Sequence, residues 1–161
     1  MDAQPVSGVA AGAIEVRQAV FADLEVLSTL LDDYRRFYGR ASEVPAARAF
    51  LQARFEHGQS VIFLAHDGGR PVGFTQLYPS FSSVSLARVF ILNDLFVAES
   101  HRRAGVGTKL LDAATSYARA MEAVRLSLNT DIRNTTAQAL YEAKGWKQDE
   151  EYLAFHLALR A

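Results

Sequence analysis

One mixed α/β domain is the fold this sequence predicts, and three features point to it. Alternating apolar runs are interleaved with runs spaced at three and four residues, in the order β-α-α-β-β-β-α-β-α-β-β. That order counts seven strands and four helices, so about seven strands share a central sheet with about four helices on its faces. Half of the 161 residues are hydrophobic, enough apolar side chain for a sizeable core. No internal repeat or linker breaks the pattern, so residues 14–161 read as a single domain behind a loose tail of small residues, 1–13.

"AIEVRQAV" (13–20) alternates Ile14 and Val16 against polar neighbours, as a first strand does. Phe21 to Tyr38 places Leu24, Leu27, Leu30, Leu31, Tyr34 and Phe37 at helical spacing, with Asp23 at the positive end of the dipole and Gly39 as the stop. A second helix opens near Pro45, which suits a first turn, and closes at Gly58. "SVIFLAH" and "RPVGFTQLYPS" are two strands joined by "DGG", a hairpin signal, and a third strand runs from Leu86 to Val97. Val106, Leu110, Ala114, Tyr117 and Met121 line one face of the next helix. "VRLSLNT" (124–130) reads as a strand, and Asn134 to Lys144 as a helix with Gly145 as a left-handed cap. The closing "EYLAFHLAL" alternates Leu153, Phe155, Leu157 and Leu159 on one face.

Composition removes several classes of function. A net charge of −1 argues against a broad basic surface for nucleic acid, and no apolar run is long enough to span a bilayer. The first thirteen residues lack the basic start and apolar centre of a secretory signal, so the cytoplasm is expected. With no cysteine there is no disulfide, thiolate metal site or acyl-cysteine intermediate. The four histidines show no helical pairing for a metal, and none is expected; only His101 stands beside a motif.

That motif is "HRRAGVGTKLL" (101–111). A glycine inside a helix costs roughly 1 kcal/mol relative to alanine, so Gly105 and Gly107 at a helix start call for a compensating role. Unpaired N–H groups at the helix start, the dipole, and Arg102 and Arg103 together make an anion site suited to phosphate. A Walker loop is excluded because Gly107-Thr108-Lys109 is in the wrong order, and a dinucleotide fingerprint because it needs a third glycine. Further on, at about 100° per residue, Asn134, Ala137, Tyr141 and Lys144 share one quarter of a helix circumference. An amide, a small residue, a phenol and an amine thus lie along one stripe, leaving room for a ligand.

With arginine-x-x-glycine-x-glycine as Arg102, Gly105 and Gly107, and asparagine-x-x-alanine-x-x-x-tyrosine as Asn134, Ala137 and Tyr141, the sequence resembles the GNAT superfamily of acyl-CoA-dependent N-acetyltransferases over residues 14 to 160. The segments "FYG", "LYPSFSSVS", "ILNDLFV" and "YEAKGW" are similar to those of its small histone and polyamine acetyltransferase-like group. The resemblance implies a mainly antiparallel central sheet and acetyl-CoA as cosubstrate. It also implies direct attack by an amine on the thioester, through a tetrahedral intermediate that expels CoA thiolate. The backbone of Leu95, Phe96 and Val97 would pair with the pantetheine arm, and Arg102, Arg103, Ala104, Gly105, Val106, Gly107 and Thr108 would hold the pyrophosphate. Asn134, Ala137, Tyr141 and Lys144 would complete the CoA site, and a homodimer is expected.

A phenol with a pKa near 10 can protonate the departing thiolate, which makes Tyr141 the candidate general acid. For the base, the polyamine relatives carry an acidic residue where this chain has Asn93, and an amide cannot serve. Asp94, Glu99, a water, or uptake of an already neutral amine remain open. Asp32, Asp33 and Glu43, with Tyr34, Tyr38 and Tyr78, form an acidic and aromatic group that would attract a cationic amine, although Arg35, Arg36 and Arg40 interrupt it. A small primary amine such as a polyamine, an aminoglycoside-like compound or an amino acid is the expected acceptor. A lysine or N-terminus on a protein, or a non-catalytic acyl-CoA sensor, is the alternative.

Overall fold

The computed structural model describes residues 12–160, so most of the 1–13 tail lies outside the described residues. The chain divides into two compact units, one ending at Asn129 and one beginning at Thr130.

The first unit is built on β1 (Ile14–Gln18), β2 (Val61–Asp67), β3 (Arg70–Ser82), β4 (Ala87–Val97) and β5 (Arg125–Ser127). They lie side by side in chain order, every pair antiparallel except β4 with β5. Between β2 and β3 the turn at Gly68-Gly69 has φ of 55° and 83°, the two positive values that a two-residue hairpin with the right twist requires. The helices of this unit are α1 (Leu24–Phe37), preceded by a single 3-10 turn at Phe21–Asp23, then α2 (Val44–Glu56) with Pro45 in its first turn, and α3 (Val106–Ala120). The helix expected from Phe21 therefore starts three residues late.

Each face of the sheet is covered. α1 and α2 bury Leu24, Leu27, Leu30, Leu31, Ala47 and Leu51 with Ile62, Leu64, Phe74 and Phe96 of the strands. α3 buries Val106, Leu110, Leu111, Ala114 and Ala118, and the Tyr117 ring meets Phe63 and Phe90 edge-on. Each such large side chain contributes about 1.5–3 kcal/mol through burial. Gly73 is small for a packing reason, since a Cβ there would stand 2.6 Å from the Phe96 carbonyl oxygen and 3.4 Å from Leu110.

The second unit holds α4 (Thr135–Ala143), closed by Gly145 at φ 85°. The seven-strand expectation is corrected to five among the described residues. "VRLSLNT" contributes only Arg125–Ser127, the part that faces Val89–Ile91 of β4. "EYLAFHLAL" forms no strand, because alternation records a face suited to a sheet while the ladder itself is supplied by a neighbour.

Candidate active site

The site starts from an irregularity in β4. Gln76 pairs with Asp94 but Leu77 pairs with Leu92, so Asn93 is an extra residue in the ladder, a β-bulge. One extra residue exchanges the faces. Upstream, Phe90 packs on Tyr117 of α3; downstream, Asp94 and Phe96 meet Tyr34 of α1.

The main chain changes sides as well. Before the bulge, the Arg88 carbonyl accepts from Val124 N–H at 2.9 Å on the β5 side. Past it, the Asp94 carbonyl accepts from Thr75 Oγ1 at 2.8 Å, and Ala98 N–H donates to Val72 O at 2.8 Å, both on the β3 side. Amide direction alternates along a strand, so the polar groups of Leu95 and Val97 face away from β3. β5 pairs no further than Ile91, so that stretch of β4 has no strand beside it among the described residues. Such an edge can accept one more extended chain.

Beyond this edge the chain enters the predicted loop. Arg103 has φ 62° and Gly105 φ 79°, two left-handed residues that turn the backbone into α3. The first intrahelical bond is Lys109 N–H to Gly105 O at 3.1 Å, so the amides of Val106, Gly107 and Thr108 precede the ladder and supply the positive end of the dipole. Arg102 lays its Nε on the Val97 carbonyl oxygen at 3.1 Å and its guanidinium 5.1 Å from the Phe37 ring centre. Among the described residues neither Arg102 nor Arg103 forms an ion pair, which leaves both cations for an anion. His101 sits between Ser100 Oγ (2.8 Å) and Asp67 Oδ2 (3.2 Å), tying the start of the loop to the β2–β3 hairpin.

Asp94 is 5% exposed and forms no ion pair among the described residues. Gln76 Nε2 donates to its Oδ2 at 2.7 Å, Asn93 Nδ2 to its Oδ1 at 3.2 Å, and Tyr34 adds a hydrogen bond from α1. Burial pushes the carboxyl above its ordinary value, and the three donors hold it back. The same Gln76 Nε2 donates to Tyr78 Oη at 3.1 Å; burial, with the Asp94 charge adding to it, pushes the Tyr78 phenol up to about 12. Gln76 is fully buried and its Oε1 has no partner, an arrangement that costs about 1–3 kcal/mol. The sequence reading missed Gln76; the available signal was two polar residues, Thr75 and Gln76, inside an otherwise apolar strand.

Of the predicted acceptor residues, the structure gathers Tyr34, Tyr78 and Asn93 around Asp94, the candidate base. Tyr38 stacks edge-on against Tyr34, with centroids 5.1 Å apart. Asp32 is placed differently. It is 3% exposed, and its carboxylate accepts from Ser42 Oγ (2.7 Å) and Glu43 N–H (2.6 Å), contacts that hold its pKa below the ordinary value. It ties α1 to the start of α2 instead of facing an acceptor. Asp33 stands beside Arg36 at 3.7 Å, on a solvated face.

In the second unit, Asn134 caps α4 by accepting from Ala137 N–H at 3.2 Å, so its carbonyl oxygen serves the helix. Lys144 closes the helix, and the Tyr141 and Trp146 rings lie 6.0 Å apart. Among the described residues no three His, Cys, Asp or Glu side chains are grouped to hold a metal, and no helix is long and apolar enough to cross a membrane.

A bulged strand with an open edge running into a glycine-opened helix is the arrangement that the resemblance to acyl-CoA-dependent transferases implies. The chain belongs to the Acetyltransferase (GNAT) family, whose model matches residues 27–146. It is 44% identical to the uncharacterized N-acetyltransferase YhfO of Bacillus subtilis (strain 168) over 148 residues, 92% of this chain and 99% of that one. A crystal structure of a probable acetyltransferase, 42% identical, superposes with a TM-score of 0.87 over 91% of this chain and 99% of that one. The D-amino-acid N-acetyltransferase HPA3 of Saccharomyces cerevisiae is 33% identical over 82 residues, 51% of each chain.

Proposed function

We propose that the chain transfers an acetyl group from acetyl-CoA to a small primary amine through a ternary complex. The observation that carries this reading is the continuous path from the open Leu95–Val97 edge of β4 to the left-handed Gly105 at the head of α3. The pantetheine arm fits that edge as an added strand. The pyrophosphate fits the amides of Val106, Gly107 and Thr108, flanked by Arg102 and Arg103. A Leu95 or Val97 amide directed at the thioester oxygen would stabilise the charge that develops there. The resemblance assigns the stripe Asn134, Ala137, Tyr141 and Lys144 to the cosubstrate, with Tyr141 as the acid that protonates the thiolate.

Asp94 is the base in this reading. A carboxyl raised by burial keeps affinity for a proton, and its donors Tyr34, Gln76 and Asn93 are all neutral. Tyr34, Tyr38 and Tyr78 line the acceptor side. An amino acid or polyamine is the acceptor class, supported by the near-neutral net charge of −1 and, for an amino acid, by the name of the yeast relative. A homodimer belongs to the same reading and rests on the resemblance.

Titration calorimetry with acetyl-CoA and with ATP tests the cosubstrate: acetyl-CoA is expected to bind clearly tighter. Equal affinity for the two, or no binding of CoA species, overturns the reading. A screen of D- and L-amino acids, polyamines and lysine peptides, following CoA release, then identifies the acceptor.

A further inference from the structure

We infer that Gln76 is a positioning residue for the acid–base step, its side-chain amide orienting the Asp94 carboxylate and setting how strongly that group holds a proton. The inference rests on the reading of Asp94 as base. Gln76 lies opposite Asp94 in the β3–β4 register, with its Nε2 2.7 Å from Asp94 Oδ2 and 3.1 Å from Tyr78 Oη. Both protons of one amide nitrogen are thus committed within the cluster, while Oε1 is buried with no partner. In the opposite orientation Oε1 would accept from Tyr78 Oη but would stand 2.7 Å from a carboxylate oxygen of Asp94, and the amide nitrogen would take the buried place with no partner. The orphaned oxygen is therefore the consequence of placing a donor on Asp94. A residue kept only to fill this space would be apolar and would leave no group unsatisfied.

The chemistry explains why the donor is an amide. Groups around the carboxylate are Tyr34 from α1, Gln76 and Tyr78 from β3, and Asn93 from β4. The cationic influence on this group comes from Arg54 of α2, which acts on Tyr78. A lysine or arginine in place of Gln76 would hold the carboxylate ionised and remove its basicity. An apolar residue would leave burial opposed only by Tyr34 and Asn93, so that the group holds its own proton more strongly and is less able to take one from an ammonium. A neutral donor lies between these limits. Tyr78, having accepted from Gln76, is left with its own proton to direct elsewhere.

The test is a titration of the full chain by carbon-13 NMR of aspartate carboxyls, with Asp94 assigned from its loss in Asp94→Asn. Gln76→Met keeps the length of the side chain and removes the donor; it is expected to raise the Asp94 midpoint by about one unit or more, a tenfold change in proton affinity. Gln76→Glu is expected to raise it further, because two adjacent carboxylates share one proton. Thr75→Val removes the hydroxyl on the Asp94 main chain and is expected to leave the midpoint in place, which separates positioning from general loosening. An unmoved midpoint in both Gln76 variants, or an equal shift in Thr75→Val, overturns the inference. Acetyl transfer by Asp94→Asn to the amine found in the screen tests the base reading separately. Full activity there removes that reading, and with it the inference; a lost activity with unmoved Gln76 midpoints removes the inference alone.

Discussion

Tyr141 carries one task in the proposed reaction, returning a proton to a thiolate whose conjugate acid titrates near 8.5–10, a range that its own ordinary pKa near 10 matches. Replacing the hydroxyl by hydrogen leaves the ring and its packing in place. Tyr141→Phe is therefore expected to lower kcat tenfold or more, about 1.4 kcal/mol of transition-state stabilisation, with little change in acetyl-CoA affinity. Steady-state rates alongside calorimetry check this, and equal turnover removes Tyr141 as the acid. Single residues were legible to different degrees. Gly105 and Tyr141 lie in compact local motifs, where spacing alone says what shares a turn. Gln76 lies eighteen positions from Asp94, and nothing local records their pairing. Asp32 has the composition of a cation site, but Ser42 and Glu43 take up its carboxylate, a contact that depends on how two helices meet.

At the scale of elements, periodicity recovered the four helices and the β2–β3 hairpin, because each is specified within its own window of sequence. The limits of that method appear at β5 and at "EYLAFHLAL", where the alternation is clear but the extent of a strand depends on a neighbour. The Asn93 bulge was equally hidden, since an inserted residue is visible only against the partner strand. The loop before α3 gives the sharpest test at this scale. Among the described residues, nothing beyond the adjoining backbone would lie within 4 Å of a Cβ at Gly105, so a substitution meets conformational resistance at φ 79° and no steric wall. Gly105→Val is expected to destabilise the fold by about 1–3 kcal/mol and to weaken acetyl-CoA binding at least tenfold. Gly105→Asn, which tolerates the left-handed region, is expected to lose much less of both. Thermal unfolding and calorimetry on the pair decide whether φ is the cause.

For the molecule as a whole, two carboxylates give stability opposite slopes against pH. Arg17 holds Asp23 down to about 2, from an ordinary value near 3.8, through bonds of 2.7 and 2.8 Å. That contribution is present above about pH 4 and is lost as pH falls toward 2. Asp94 is raised, so its contribution is present below the ordinary carboxylate value and is lost as pH rises through the raised one. Asp94→Asn is accordingly expected to raise Tm at pH 7 while abolishing transfer, with the gain vanishing near pH 3; Asp23→Asn is expected to lower Tm at pH 7. A denaturation series across pH checks both signs. The open edge of β4 has a consequence of another kind. Unsatisfied strand edges are where chains stick to one another, and the Leu95–Val97 stretch is such an edge, screened only at its end by Arg102. A cosubstrate lying there, as proposed, would cap the sheet against self-association, and light scattering is then expected to show less aggregation when acetyl-CoA is present.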